Sequence, residues 1–220
     1  MRNRRSTEFV AVVIAFAALV ATFLTAFEFR PRVNRRLHAA IGEALARETL
    51  KLLGQGGQVT VIARDTETFK QPAMDVLLAT FTREVRRAGA AMAATQLIQL
   101  DPLRPAEVPS GDFFELIRRA PAGQVIVSFL GPPLLAEEQR SRLGQIKPKI
   151  VAFCSGNLAE MVDLRQLFEA GLLHAAVVSR RLPSVATDKP RRISQDFDQL
   201  YLTMTAADLA KWPSPSGGAR

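Results

Sequence analysis

The chain reads as an α/β protein: a single N-terminal transmembrane helix, then a doubly wound, mainly parallel sheet of five or six strands flanked by helices. Three observations predict this. "FVAVVIAFAALVATFLTAF" (Phe9–Phe27) runs without one ionisable side chain. Between Val59 and Ser179, short runs of Val, Ile, Leu, Ala and Phe recur. An amphipathic stretch separates each of these runs from the next. Strands that are apolar on both faces and alternate with helices imply parallel pairing under helical cover. Right-handed crossovers then give a doubly wound layer.

A helix rises about 1.5 Å per residue, so Phe9–Phe27 would be about 28 Å long. That matches a hydrocarbon core of roughly 30 Å. A cleaved signal peptide is the competing reading, with Leu24-Thr25-Ala26 as a tolerable site, but the apolar core exceeds the usual 7–15 or so residues. Arg2, Arg4 and Arg5 precede the span and Arg30, Arg32, Arg35 and Arg36 follow it, against Glu8 and Glu28. Seven arginines less two glutamates put +5 of the net charge of +8 beside the span. Guanidinium groups placed there reach lipid phosphates. The lipid bilayer is therefore the first expected partner. Nucleic acid would need a basic groove with interleaved aromatics, and no such pattern is visible. Positive charge is nearly balanced across the span, so orientation is weakly specified.

The expected organisation is a basic tail (1–8), the span (9–27), a juxtamembrane amphipathic helix and turn (28–57) and an α/β domain (58–181). A connection with a possible sixth strand and short helix (182–212) and a disordered tail (213–220) follow. In the juxtamembrane segment Val33, Leu37, Ile41, Leu45, Leu50 and Leu53 recur at helical spacing. Both a stalk and a helix packed on the domain fit that pattern. "GQGGQ" (Gly54–Gln58) follows a helix and precedes a strand. It reads as a helix-stopping turn, because a phosphate-cradling loop has the reverse order.

The strands are "VTVIA" (Val59–Ala63), "TQLIQL" (Thr95–Leu100), "QVIVSFL" (Gln124–Leu130), "KIVAFCS" (Lys149–Ser155) and "HAAVVS" (His174–Ser179). The helices between them are "PAMDVLLATFTREVRRAG" (Pro72–Gly89), "GDFFELIRRA" (Gly111–Ala120), "LAEEQRSRLGQI" (Leu135–Ile146) and "LAEMVDLRQLFEAG" (Leu158–Gly171). "DQLYLTMT" (Asp198–Thr205) is the possible sixth strand and "AADLAKW" (Ala206–Trp212) the closing helical turn.

Open α/β sheets bind ligands beyond the carboxyl ends of their strands. Those ends carry "RDTET" (Arg64–Thr68), "DP" (Asp101, Pro102), "GPP" (Gly131–Pro133), "SGN" (Ser155–Asn157) and "SRR" (Ser179–Arg181). Such residues also serve as ordinary caps and turns. "VIARDTET" resembles the first motif of haloacid-dehalogenase-type phosphatases, with Asp65 as nucleophile, but the later acidic pair that would hold magnesium is missing. A response-regulator receiver would need an aspartate where "SFLGPP" stands. A flavin-phosphate loop would not place carboxylates after the first strand. Cys154 ends an apolar strand, as a core thiol does. His38 and His174 are too few and too scattered for a triad or a zinc cluster. No cofactor or metal is expected, and catalysis is not.

"VTVIARDT", "ATQLIQLDP", "QVIVSFLGPP", "KIVAFCSGN" and "HAAVVSRR", with helices between them, resemble one lobe of the type I periplasmic substrate-binding proteins over about residues 59–181. In that family two lobes close on a small solute, commonly a sugar, and strand-end loops contact it. The resemblance implies that Asp65, Thr66, Ser155, Asn157 and Arg180 would face a ligand. It also implies a bacterial inner-membrane location with the bulk of the chain periplasmic, and a small polar ligand or another envelope protein as partner. Two features depart from the family. The residues after Arg181 are too few for a second lobe, and no cysteine near the span could carry a lipid. Two other classes stay open: a magnesium-dependent phosphatase or phosphotransfer enzyme using Asp65, and a structural accessory subunit of a membrane complex.

Overall fold

The computed structural model describes residues 14–20, 22, 33–67, 70–99, 107–144, 148–180 and 196–211. The chain divides into two compact units, Met1–Val33 and Asn34–Arg220. In the first, residues 14–20 and Thr22 are helical (α1), and Ile14, Phe16, Leu19 and Val20 are exposed. Among the described residues, no helix is long and apolar enough to cross a membrane. The predicted span Phe9–Phe27 lies largely outside the described residues, as do the flanking Arg4, Arg5, Arg30 and Arg32. Arg35 and Arg36 form the first turn of a helix that belongs to the second unit.

That helix, α2 (Arg35–Leu52), starts where the Asn34 side chain accepts a hydrogen bond from the Leu37 N–H at 3.1 Å, an N-cap. Leu37, Ile41, Ala44 and Leu45 are buried against the sheet, so α2 is a packing helix. The elements that follow are β1 (Gln58–Arg64), α3 (Pro72–Arg87), β2 (Ala91–Ile98), α4 (Ser110–Arg119), β3 (Val125–Ser128) and α5 (Glu137–Ser141). Then come β4 (Lys149–Cys154), α6 (Leu158–Met161), α7 (Leu164–Glu169), β5 (Ala175–Ser179), α8 (Phe197–Leu200), β6 (Tyr201–Thr205) and a 3-10 helix (Ala206–Lys211).

Six strands form one sheet in the order β2-β1-β3-β4-β5-β6, parallel except for β6, which runs antiparallel to β5. The chain therefore steps outward from β1 to β2, reverses, and fills β3, β4 and β5 on the other side. With right-handed crossovers the reversal moves the helices from one face to the other. Val59, Val61, Val125, Val127 and Val177 face α2 and α3, while Ile62, Ile126, Ile150 and Val178 face α4 to α7. Both faces are dry, and each fully buried Val or Ile contributes roughly 1.5–3 kcal/mol. The Phe81 ring of α3 meets Phe129 edge to face, 5.4 Å between centroids.

Several boundaries differ from the sequence expectation: of the sixth strand expected over Asp198–Thr205, Asp198–Leu200 belong to helix α8 and β6 covers Tyr201–Thr205, and β3 is confined to Val125–Ser128. β2 begins at Ala91, because the alanines before Thr95 extend the strand without an apolar signature. The helix expected over Leu158–Gly171 is two helices: Val162 is extended, and Asp163 caps α7 by accepting from the Gln166 N–H at 3.0 Å. Of the helix expected over Leu135–Ile146, α5 covers Glu137–Ser141, and residues 145–147 lie outside the described residues.

Gly42 sets the approach of α2 to α3. A Cβ on it would stand 2.7 Å from the Leu77 carbonyl oxygen and 3.1 Å from the Thr80 Cβ. Gly42→Ala should therefore destabilise the domain by about 1–3 kcal/mol, as overpacking does, read as a lowered urea midpoint. Gly111, on α4, has open space around it, so Gly111→Ala should raise stability by roughly 0.4–1 kcal/mol in the same assay.

Candidate functional site

The reversal of strand order falls between β1 and β3, so the carboxyl-end rim of the sheet is where such a fold offers a crevice. Three groups of residues build that rim.

At the end of β1, the Asp65 N–H donates to the Ile98 carbonyl at 2.9 Å and prolongs the β1–β2 ladder. The Asp65 Oδ1 accepts from the Glu67 N–H at 2.9 Å, closing an Asx turn. Its Oδ2 accepts from the Gln99 Nε2 at 3.4 Å. The Thr66 hydroxyl donates to the Asp75 Oδ1 in the first turn of α3, at 3.4 Å. Both predicted residues are thus bonded within the loop and its neighbours.

The β3 end is dry. Leu130, Gly131, Pro132 and Pro133 are buried, and the Ser128 hydroxyl, itself buried, accepts from the Leu130 N–H at 3.3 Å. Gly131 has φ +99, and a Cβ there would stand 2.7 Å from the Leu158 side chain. The "GPP" loop, expected to offer a ligand-facing end, is a packed ridge.

The ends of β4 and β5 are polar and open. Cys154 pairs with Val178, so Ser155 follows opposite Ser179. The Gly156 N–H, at φ +64, donates to the Ser179 hydroxyl at 2.9 Å. Ser155, Asn157 and Arg180 are exposed, and the Asn157 amide makes no capping bond to α6. The Arg180 N–H donates to the Leu200 carbonyl at 2.7 Å and its Nε to the Tyr201 carbonyl at 3.0 Å. Those bonds fix the guanidinium against β6, whose Tyr201 ring packs on Phe153 and Phe197.

The five predicted residues therefore share one rim but form two clusters. Strands lie about 4.8 Å apart, so Asp65 is roughly 10 Å from Ser155 and roughly 14 Å from Arg180 across the β3 ridge. Gln99 and Tyr201 belong to the rim, yet no pattern in the sequence singles them out. Gln99 follows a strand whose register is visible only once paired, and Tyr201 arrives from the antiparallel β6.

Titratable groups suited to catalysis are placed structurally. The His174 Nδ1 accepts from the Ile150 N–H at 3.2 Å. His38 is partly buried on α2, which lowers its pKa. Cys154 is wholly buried, and desolvation pushes its thiol up to about 12. Among the described residues, no three His, Cys, Asp or Glu side chains gather where they could share a metal ion. A shallow groove of about 640 Å³ lies away from the rim, between the carboxyl-terminal halves of α2 and α3, with Glu43, Arg47, Lys51, Glu84 and Arg87 along it. Its charges are of both signs, and Lys51 is engaged by Glu48 at 2.8 Å.

No protein-family model and no curated protein matches the sequence. Solved structures do match. They include AraP, an arabinose binding protein from Geobacillus stearothermophilus, with a TM-score of 0.51 and 14% identity over 83% of this chain and 64% of that one. A sugar ABC transporter sugar-binding protein from Bacillus halodurans follows at TM-score 0.48, 14% identity, 82% and 65%. A periplasmic ribose ABC transporter from Conexibacter woesei gives 0.48, 10% identity, 79% and 59%. The chain spans less than two thirds of each. At these identities the likeness is one of fold, and that fold is the α/β architecture of periplasmic sugar-binding proteins.

The sealed Cys154 gives a direct check of the packing. The folded chain should resist thiol reagents near neutral pH and react in full once unfolded in guanidinium. The unfolded thiol ionises near its ordinary value of 9.0, whereas the folded one keeps its proton to about 12. Stability present below pH 9 should therefore fall as pH rises from about 9 toward 12, seen as a declining unfolding midpoint.

Proposed function

We propose that the chain is a non-enzymatic binding module, anchored by the Phe9–Phe27 span in a bacterial-type inner membrane with its α/β domain outside the cytoplasm. The occupant of the rim is a small polar solute of the sugar class, held at the β4–β5 cluster by Ser155, Asn157 and Arg180. Asp65 and Thr66 border the same rim beyond the β3 ridge. One observation carries this reading: the Arg180 guanidinium is braced by a backbone carbonyl on the same rim as the exposed Ser155 and Asn157, and among the described residues no hydrogen bond couples a base to this set. The fold shared with AraP, named as an arabinose binding protein, supports the same reading.

The chemistry of Asp65 fits a binding or structural role better than nucleophilic attack. Both its carboxylate oxygens accept bonds from the chain's own donors, so an in-line attack would give up the Asx turn at Oδ1 or the Gln99 amide at Oδ2. The membrane reading rests on an uncharged run long enough for a bilayer, bounded by arginines on both sides.

The full chain in mild detergent should show a raised thermal midpoint with one or more monosaccharides from a panel of pentoses and hexoses. Asn157→Ala and Arg180→Ala should abolish the shift while keeping the midpoint of the free protein. If no sugar shifts the midpoint, and magnesium-dependent phosphatase turnover appears that Asp65→Asn removes, the module is an enzyme. A stoichiometric protein that copurifies through the rim would instead identify a structural subunit. For topology, a reporter fused after Arg220 should be active only when exported. Activity confined to the cytoplasm would remove the case for an imported solute.

A further inference from the structure

The sheet ends on β2, and Ala91 and the run Ala93 to Leu97 are exposed, Leu97 at 49%. Residues 89–99 contain no charged side chain and no proline, in a chain of net charge +8. Proteins ordinarily blunt an edge strand with charge, proline, a bulge or a covering segment, because its free N–H and C=O groups template another strand. Here a bulge is present: the register slips between Val59 and Thr60, leaving Ala93 as the extra residue. It ends before Ala94, and the pairing from Ala94 to Ile98 is regular.

In a strand, successive residues turn their backbone polar groups to opposite sides. The Ile98 carbonyl accepts from the Asp65 N–H on β1. By alternation Gln96 and Ala94 also face β1, and Thr95, Leu97 and Gln99 hold their N–H and C=O groups to the open side.

We propose that this edge is a self-association surface, occupied by β2 of a second copy running antiparallel across a two-fold axis. A two-fold through Leu97 sets two Leu97 side chains next to each other and each Thr95 opposite a Gln99. Three facing pairs then supply about six backbone hydrogen bonds, two per pair. The charge pattern suits a second copy. Like charges never meet along an uncharged edge, even between two copies of a chain of net charge +8, and a two-fold contact closes on itself. A strand pair is small beside the roughly 1,200–2,000 Å² of a standard interface, so the association is weak and concentration-dependent. A covalent trap is the fitting readout.

The experiment is mild oxidation of the full-length Leu97→Cys chain in detergent. Facing residues in such a pair sit about 5.5 Å apart at Cα, within disulfide reach. The buried Cys154 does not compete. A disulfide-linked dimer should form with Leu97→Cys and be lost with Glu138→Cys, placed on exposed α5. Adding Thr95→Pro should abolish the dimer, since it deletes an open-side N–H and leaves the β1 ladder intact; an unchanged circular dichroism spectrum confirms the fold. Three results would overturn the proposal: no dimer from Leu97→Cys, a dimer indifferent to Thr95→Pro, or trapping of a different protein at that position.

Discussion

Parallel strands cannot be joined by a tight turn, so every connection between the parallel strands β1 to β5 must carry the chain back across a face. That requirement shapes the molecule. Because crossovers keep one hand, the helix leaving β1 for β2 covers one face, and those returning through β3, β4 and β5 cover the other. The inner strands β1, β3, β4 and β5 are then buried on both sides and must be largely apolar, as "VTVIA" and "KIVAF" are. It follows equally that the polar residues of the domain are pushed to the strand ends, where loops meet water. The reversal between β1 and β3 thus fixes both the core and the rim.

Within that frame the rim is uneven for a packing reason. β3 is one of the two central strands, flanked by β1 and β4, and the loop that follows it is buried. Gly131 and the two prolines after it form that loop, with Leu158 directly above the glycine. Toward the β6 edge the crowding eases, and Ser155, Asn157 and Arg180 reach solvent. On the other side the Asx turn at Asp65 and the Thr66–Asp75 bond tie the loop to α3. The polar groups near β1 are occupied by the fold, and those near β4 and β5 are turned outward.

Much of this was legible from residues alone. The strand–helix alternation and the existence of a sixth strand follow from apolar runs and their spacing, whereas the antiparallel direction of β6 shows only in its pairing with β5. What escaped had weak local signals. The alanines of β2 are as compatible with a helix or a loop as with a strand, so only pairing with β1 decides them. Val162 is an ordinary apolar residue inside a helical pattern, and the break there depends on Asp163 finding the Gln166 N–H. The dryness of "GPP" was hidden too, because glycine and proline mark a turn without saying whether anything lies over it. Gln99 and Tyr201 gain their rim positions through partners dozens of residues away.

On the proposed binding reading, the buried ridge after β3 would also act as a ruler. A pentose or hexose can touch the guanidinium side or the carboxylate side of the rim, but not both, since the gap between Asp65 and Arg180 is roughly three strand spacings, near 14 Å. Only an elongated molecule, on the scale of two linked rings, could bridge the anionic and cationic ends at once. The dry middle strand would thereby sort occupants by length before any hydrogen bond could sort them by stereochemistry.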